Sequence, residues 1–482
     1  MSHESGQSET PLTTRELRAI LAETSWWIRP DAWTLQDADL RRAADAPFEY
    51  SSGALADLVR GGLYILRGPR RVGKSVEIKL KIRSLVEGGT DPARIVHLAA
   101  DDLAAADLRR AVRAANDITP TGHRHWFIDE VTAIRDDWPA VVKWLRDNDS
   151  RFAFDTVVLT GSSGARLSDA VKALAGRRGD APDSDRVLLP MSFRDFFRIR
   201  LGTGRNPRPA PPDHLGPVAV RDLDQAVLQE AVRTLAPWLP RLIDEWGAYC
   251  QVGGFPQSVA ARDRGDPDLI RQSLLHVIEG EAFRQARWPR SQTVAFLRRL
   301  TQGLAAPTNL QDVATDIGGQ AKTVRRRIVA LQEAFVVWPC YPERDLRPLL
   351  RAQPKTYFTD PVYAHLSPRR SVVVDHGRLS EQQLGMTLLR SFARRDPASY
   401  PDFDSVLHHR TRSRSEIDFV GPGFGDVALE SNYVDGDRWR RGARTLRASR
   451  WRGIMASRGA LDLEDSNLLV APTGLLAWLI GS

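Results

Sequence analysis

One run constrains this chain more than any other: Tyr64-Ile-Leu-Arg-Gly68-Pro-Arg-Arg-Val-Gly73-Lys74-Ser75. Ahead of it, Leu63 to Leu66 is a short apolar stretch that reads as a buried strand. Behind it, Val76 to Leu85 spaces its apolar residues as a helix does. Strand, glycine-bounded loop and helix, in that order, aim the loop amides and the helix N-terminus at one point, which suits a phosphate group. The spacing predicts that Gly68, Pro69, Arg70, Arg71, Val72, Gly73, Lys74, Ser75 and Val76 line that point. There the Lys74 ammonium would neutralise phosphate charge, and the Ser75 hydroxyl would offer an oxygen to Mg²⁺.

A second feature supplies the acids. His125-Trp-Phe-Ile-Asp129-Glu130 is an apolar strand that ends in two carboxylates. Asp129 is the expected second metal ligand, and Glu130 the group that polarises an attacking water. Asp155-Thr-Val-Val-Leu-Thr160-Gly-Ser162-Ser163 is a further strand, expected between the other two, with Thr160 or Ser162 placed to sense a terminal phosphate. Ile95 to Ala99 and Val187 to Leu189 read as strands; Ala106–Ala115, Trp138–Leu145 and Leu167–Leu174 read as helices. Such alternation predicts an α/β fold with a parallel sheet and its ligand at the strand C-termini. The expected ligands are ATP and Mg²⁺, and the expected activity is ATP hydrolysis.

The chain resembles prokaryotic AAA-type P-loop ATPases. Beyond the motifs above, Ala175-Gly-Arg-Arg-Gly179, Leu189-Pro-Met-Ser-Phe-Arg-Asp-Phe196 and Gly253-Gly-Phe-Pro256 carry the likeness. The resemblance implies an ATPase followed by a family-specific domain of unknown function. It also implies an arginine near the γ-phosphate, in cis or from a neighbouring copy of the chain; Arg177 is the expected one.

Length and composition set the outer limits. At 482 residues the chain holds about three domains. Its two cysteines, Cys250 and Cys340, exclude a disulfide framework and fit a reducing compartment, so a cytoplasmic location is expected. No membrane contact is expected, because the apolar run Leu468 to Ile480 is short and broken by Pro472 and Gly474. Only seven of the 68 basic residues are lysine, so the net charge of +8 is an arginine effect that G+C-rich coding also produces. Local clusters therefore count for more than the total.

The expected order is an N-terminal segment (1–49), the ATPase (50–201), a proline-rich linker (202–217), a helical region (218–290), a winged-helix-like module (291–365) and a degenerate nuclease-like α/β module (366–482). In the winged module Val313, Ala314, Ile317, Val324, Ile328 and Leu331 should face inward. Gln320, Lys322, Thr323, Arg326 and Arg327 should face out, toward double-stranded DNA or a protein partner. In the last module Glu381, Asp418 and Glu430 stand where restriction-endonuclease-like folds place acids, but Asn432 stands where the lysine belongs. Asparagine carries no positive charge and is no base, so the module reads as degenerate. A nucleotide-driven switch, a non-hydrolysing scaffold or DNA-binding protein, and an ATP-regulated nuclease all remain open on sequence.

Overall fold

Five short strands, three of them (β1, β3 and β4) uniformly apolar at their centres, build the first sheet: β1 (Leu63–Arg67), β2 (Ile95–Ala99), β3 (His125–Asp129), β4 (Thr156–Thr160) and β5 (Asp185–Val187). They run parallel in the order β2-β3-β4-β1-β5, so β4 does lie between the glycine-loop strand and the acidic strand. Strands covered on both faces must be apolar throughout, and Leu63, Tyr64, Ile65 and Leu66 are all fully buried. Helices Lys74–Glu87, Ala105–Ile118, Trp138–Asn148 and Gly164–Ala173 connect the strands. The computed structural model describes residues 12–22, 24–134, 136–161, 164–203, 209–264, 268–282, 290–366, 374–393, 404–411, 415–434 and 436–481.

The chain divides into two units, Met1–Leu188 and Leu189–Ser482. The N-terminal segment, expected to stand apart, belongs to the first. Leu17 and Leu21 join its core, and the Trp26 and Trp27 indoles both donate to the Ile95 carbonyl at the start of β2. The division also falls earlier than residue 201, and aromatic packing is the reason. Helix Phe193–Gly202 sets Phe193 5.1 Å from Trp246 and Phe197 5.6 Å from Trp478, all within the second unit. Ser192 starts that helix with a capping box, its hydroxyl accepting from the Asp195 amide while Asp195 reaches back to the Ser192 amide.

In the second unit, helices Arg290–Gln302, Leu310–Asp316 and Ala321–Glu333 lead into β6 (Val337–Cys340), a small hairpin of β7 (Glu343–Arg344) and β8 (Arg347–Pro348), and β9 (Lys355–Phe358). β6 and β9 pair antiparallel, and Pro307 bridges to Lys355 on the far side of β9. Val313, Ala314, Ile317, Val324, Ile328 and Leu331 are buried. Arg327, expected on the outer face, is only 8% exposed and falls on the inner stripe with Val324 and Leu331. Positions 324, 327 or 328, and 331 share one helical face, so the periodicity itself turns Arg327 inward.

A last sheet follows the order β10-β11-β12-β13-β14, with β10 (Leu407–Arg410), β11 (Glu416–Val420), β12 (Val427–Asn432), β13 (Arg452–Ser457) and β14 (Leu468–Pro472). The first two pairings are antiparallel and the last two parallel. Helix His376–Ala393 precedes the sheet and Trp439–Arg447 links β12 to β13. The apolar run at the C-terminus is β14 followed by the fully buried helix Thr473–Ile480. No helix among the described residues is long and apolar enough to cross a membrane.

Candidate functional site

The glycine loop leaves the C-terminal end of β1 and enters helix Lys74–Glu87, a 14-residue helix whose N-cap, Gly73, has φ 109°. That left-handed backbone is where glycine costs least. At Gly68, a Cβ would collide with the Leu188 carbonyl oxygen, so this glycine answers a close approach of two backbones. Lys74 is only 5% exposed, and its ammonium is held inside the loop by the carbonyls of Gly68 (3.0 Å) and Pro69 (3.1 Å). Pro69 and Val72 are buried, Arg70, Gly73, Ser75 and Val76 half-buried, and Arg71 exposed with φ 68°.

β3 delivers its acids beside this loop. The Ser75 hydroxyl donates to Asp129 Oδ2 at 2.6 Å, while the Thr160 hydroxyl at the end of β4 donates to Asp129 Oδ1. The Glu130 amide is shared between Asp129 Oδ1 (3.1 Å) and Thr160 Oγ1 (3.2 Å). Glu130 itself sits at φ 53°, a left-handed conformation that fixes its half-buried carboxylate just past the strand end. Ser75 and Asp129 thus present hard oxygen atoms side by side, the donor chemistry that Mg²⁺ takes. Together with the loop amides, the donor set fits a Mg²⁺–triphosphate.

Sequence reading missed Asp101, which follows β2. Burial, and then the charge of Glu130, raise its carboxyl above the ordinary range, so the two acids share an environment. The available signal was an acid just past a strand whose end, Ala99, pairs with Asp129. Gly161, just past Thr160, was also missed: a Cβ there would lie 2.6 Å from Thr132 Cγ2. Ser162 lies outside the described residues.

Arg177 is not brought to this site. The Arg178 carbonyl accepts from the Leu63 amide at 3.0 Å, at the start of β1. The glycine loop begins at the other end of that strand, roughly 15 Å away for five residues. Arg177 pairs instead with Asp147 at 3.0 Å, and Arg178 with Asp185 at 2.7 Å. A role in cis for Arg177 is therefore corrected by the direction of β1.

Residues 60–197 match the model of a family described as an AAA domain, and residues 243–368 match one described as a domain of unknown function. No curated protein matches the chain. Among solved structures, a Walker-type ATPase of Pyrococcus abyssi is similar at 14% identity and TM-score 0.37, over 69% of this chain and 94% of that one. The ORC2 protein of Aeropyrum pernix, solved in ADPNP–ADP complexes, is similar at 12% identity and TM-score 0.31, over 64% and 87%. A RuvB mutant from Thermotoga maritima follows at 12% identity and TM-score 0.24, over 64% and 88%. The parallel five-stranded sheet with the glycine loop at its strand ends gives residues 60–197, the stretch that matches the AAA-domain model, the α/β fold of a P-loop ATPase core.

Proposed function

We propose that the chain is an ATP- and Mg²⁺-dependent ATPase acting as a molecular switch, whose nucleotide state governs DNA binding by its C-terminal modules. The observation that carries the first half is the junction of Ser75, Asp129, Thr160 and Glu130 beside the buried Lys74. In this reading the amides of Gly68 to Ser75 bind the phosphates, and Lys74 exchanges loop carbonyls for phosphate oxygens. Ser75 and Asp129 would hold Mg²⁺, which neutralises charge on the phosphates when bound. Thr160 keeps Asp129 and the Glu130 amide in place, so that the Glu130 carboxylate can orient a water and take up its proton. An arginine near the γ-phosphate would have to come from another copy of the chain if it is Arg177.

The second half rests on shape and charge in the second unit. Three helices, a strand bridge at Pro307 and the β6–β9 pair with its hairpin support the winged-helix reading. Lys322, Arg325 and Arg326 are exposed on its third helix. Arg438, Arg440, Arg441, Arg444 and Arg447 are exposed on and just before helix Trp439–Arg447, which contains no acid. Both surfaces suit a phosphodiester backbone.

Phosphate release with and without duplex DNA tests the proposal. Glu130→Gln should retain ATP binding and lose roughly 10²–10⁴ in turnover. Lys74→Ala should lose saturable ATP affinity. Turnover untouched by either substitution in folded protein would overturn the reading.

A further inference from the structure

The sheet β10–β14 carries an acid cluster, and a lysine from elsewhere in the chain sits inside it. Lys355, on β9, is 2% exposed at its side chain. Its ammonium lies 2.8 Å from Asp418 Oδ1, 3.0 Å from Glu381 Oε1 and 3.4 Å from Glu416 Oε2. Backbone amides and a phenol add further hydrogen bonds to the cluster. Asp418 Oδ2 accepts from the Ser431 amide at 2.9 Å, Glu430 Oε2 from the Asp418 amide at 3.1 Å, and Glu381 Oε1 from the Tyr357 hydroxyl at 2.6 Å. Among the described residues, no group of three or more His, Cys, Asp and Glu side chains is arranged to hold a metal ion.

We infer that the Lys355 ammonium occupies the cation position of the Glu381–Asp418–Glu430 cluster, so that this module binds without a divalent ion and cleaves no phosphodiester. A buried carboxylate needs a counter-charge, and this single ammonium donates to both Asp418 and Glu381 while standing within ion-pair distance of Glu416. A hydrated divalent ion would need those same oxygens and would sit against a like charge fixed beside its ligands. Lys355 thereby also anchors β9, the strand that pairs with β6, to β11 through Asp418 and to helix His376–Ala393 through Glu381. Asn432, at the end of β12, is then not a vanished catalytic lysine awaiting replacement: the positive charge has been supplied from β9 and is used in neutralising the acids.

The inference does not depend on the ATPase reading, and its test is separable from it. Mn²⁺ stoichiometry is measured on the full chain by electron paramagnetic resonance, for wild type, Asp418→Asn, Lys355→Met and the Lys355→Met/Asp418→Asn double variant. Wild type and Asp418→Asn should bind equal numbers of Mn²⁺, whatever the nucleotide site contributes. Lys355→Met keeps the aliphatic stem and removes the charge, so it should gain one Mn²⁺ per chain and melt at a higher temperature as Mn²⁺ is added. The double variant should lose that gain. One Mn²⁺ fewer in Asp418→Asn than in wild type would overturn the inference, as would Mn²⁺-dependent DNA cleavage by wild type that Asp418→Asn abolishes. So would a folded Lys355→Met that gains no ion. The comparison of wild type with Asp418→Asn decides the matter even if Lys355→Met does not fold.

Discussion

Glu130 holds a backbone conformation that costs a non-glycine residue roughly 1 kcal/mol or more, and neighbouring groups keep it there. Its amide bonds to Asp129 Oδ1 and Thr160 Oγ1, so the Thr160 hydroxyl both accepts from Glu130 and donates to Asp129. Thr160→Val preserves shape and removes both bonds. It should leave ATP affinity within about threefold while lowering turnover by roughly 10–100-fold, since an interaction that only positions the reacting groups shows in kcat. Steady-state phosphate release at saturating ATP checks this, and an unchanged kcat would remove Thr160 from the site. The lysine, hydroxyl and acids of this site were legible in sequence because each belongs to a strand end or a loop of fixed spacing. Arg177 was not, because Gly-Arg-Arg says nothing about which end of β1 it meets. Arg327 shows the same limit, for a cation with a long stem can lie on an inner helical stripe and its charge suggests otherwise.

Between elements, buried charge does the fastening. Before β3 and β4 begin, Arg124 (fully buried) pairs with Asp155 at 2.7 Å, and Asp155 also accepts from the Trp126 indole and the Arg124 amide. Removing one partner strands the other, so Asp155→Ala should destabilise the fold by about 3–5 kcal/mol. This network lies at the N-terminal edge of the sheet, away from the glycine loop, so ATP affinity of the folded protein should not change. Thermal unfolding paired with calorimetric titration separates the two effects, and weakened affinity without reduced stability would refute the assignment. Glu381 gives an element-scale pH prediction. Burial, and then the Asp418 charge, push its carboxyl up to about 8, against the pull of Lys355. The folded state therefore holds a proton that the unfolded chain releases near the ordinary carboxyl value. Stability from this group is complete below about pH 4.5 and drains away as pH rises toward 8, by at most about 1.4 kcal/mol per unit. Glu381→Gln cannot ionise, so the melting-temperature difference, variant minus wild type, should grow between pH 5 and 8. A constant difference would show that Glu381 is already ionised at pH 5. The strands and helices here were legible from apolar runs and periods. The Lys355 contact was not, since a lone lysine in β9 gives no hint of acids in β11 and a distant helix.

Over the whole molecule, an excess of eight positive charges has two explanations, and they predict different salt dependence. Arginine supplied by coding bias would be scattered, paired or solvated without regard to any ligand. Many arginines here are indeed paired, including Arg124, Arg178, Arg186 and Arg299. The exposed cations of helix Ala321–Glu333, Lys322, Arg325 and Arg326, form a separate class, because they share one outer face while Val324, Ile328 and Leu331 hold the opposite one. If that face follows a DNA backbone, replacing all three by alanine should weaken duplex binding and flatten the dependence of log affinity on log salt by up to about 2.7, near 0.9 for each phosphate no longer neutralised. Fluorescence anisotropy with one duplex, from about 50 to 200 mM salt, reads both quantities, and unfolding temperature confirms that the variant is intact. The same triple substitution should leave ATP turnover without DNA unchanged, since none of the three lies in the nucleotide-binding unit. An unaltered slope in folded protein would assign these charges to composition. Duplex binding that persisted would then be tested by the same substitution of Arg440, Arg441 and Arg444, whose helix carries the other exposed row of arginines.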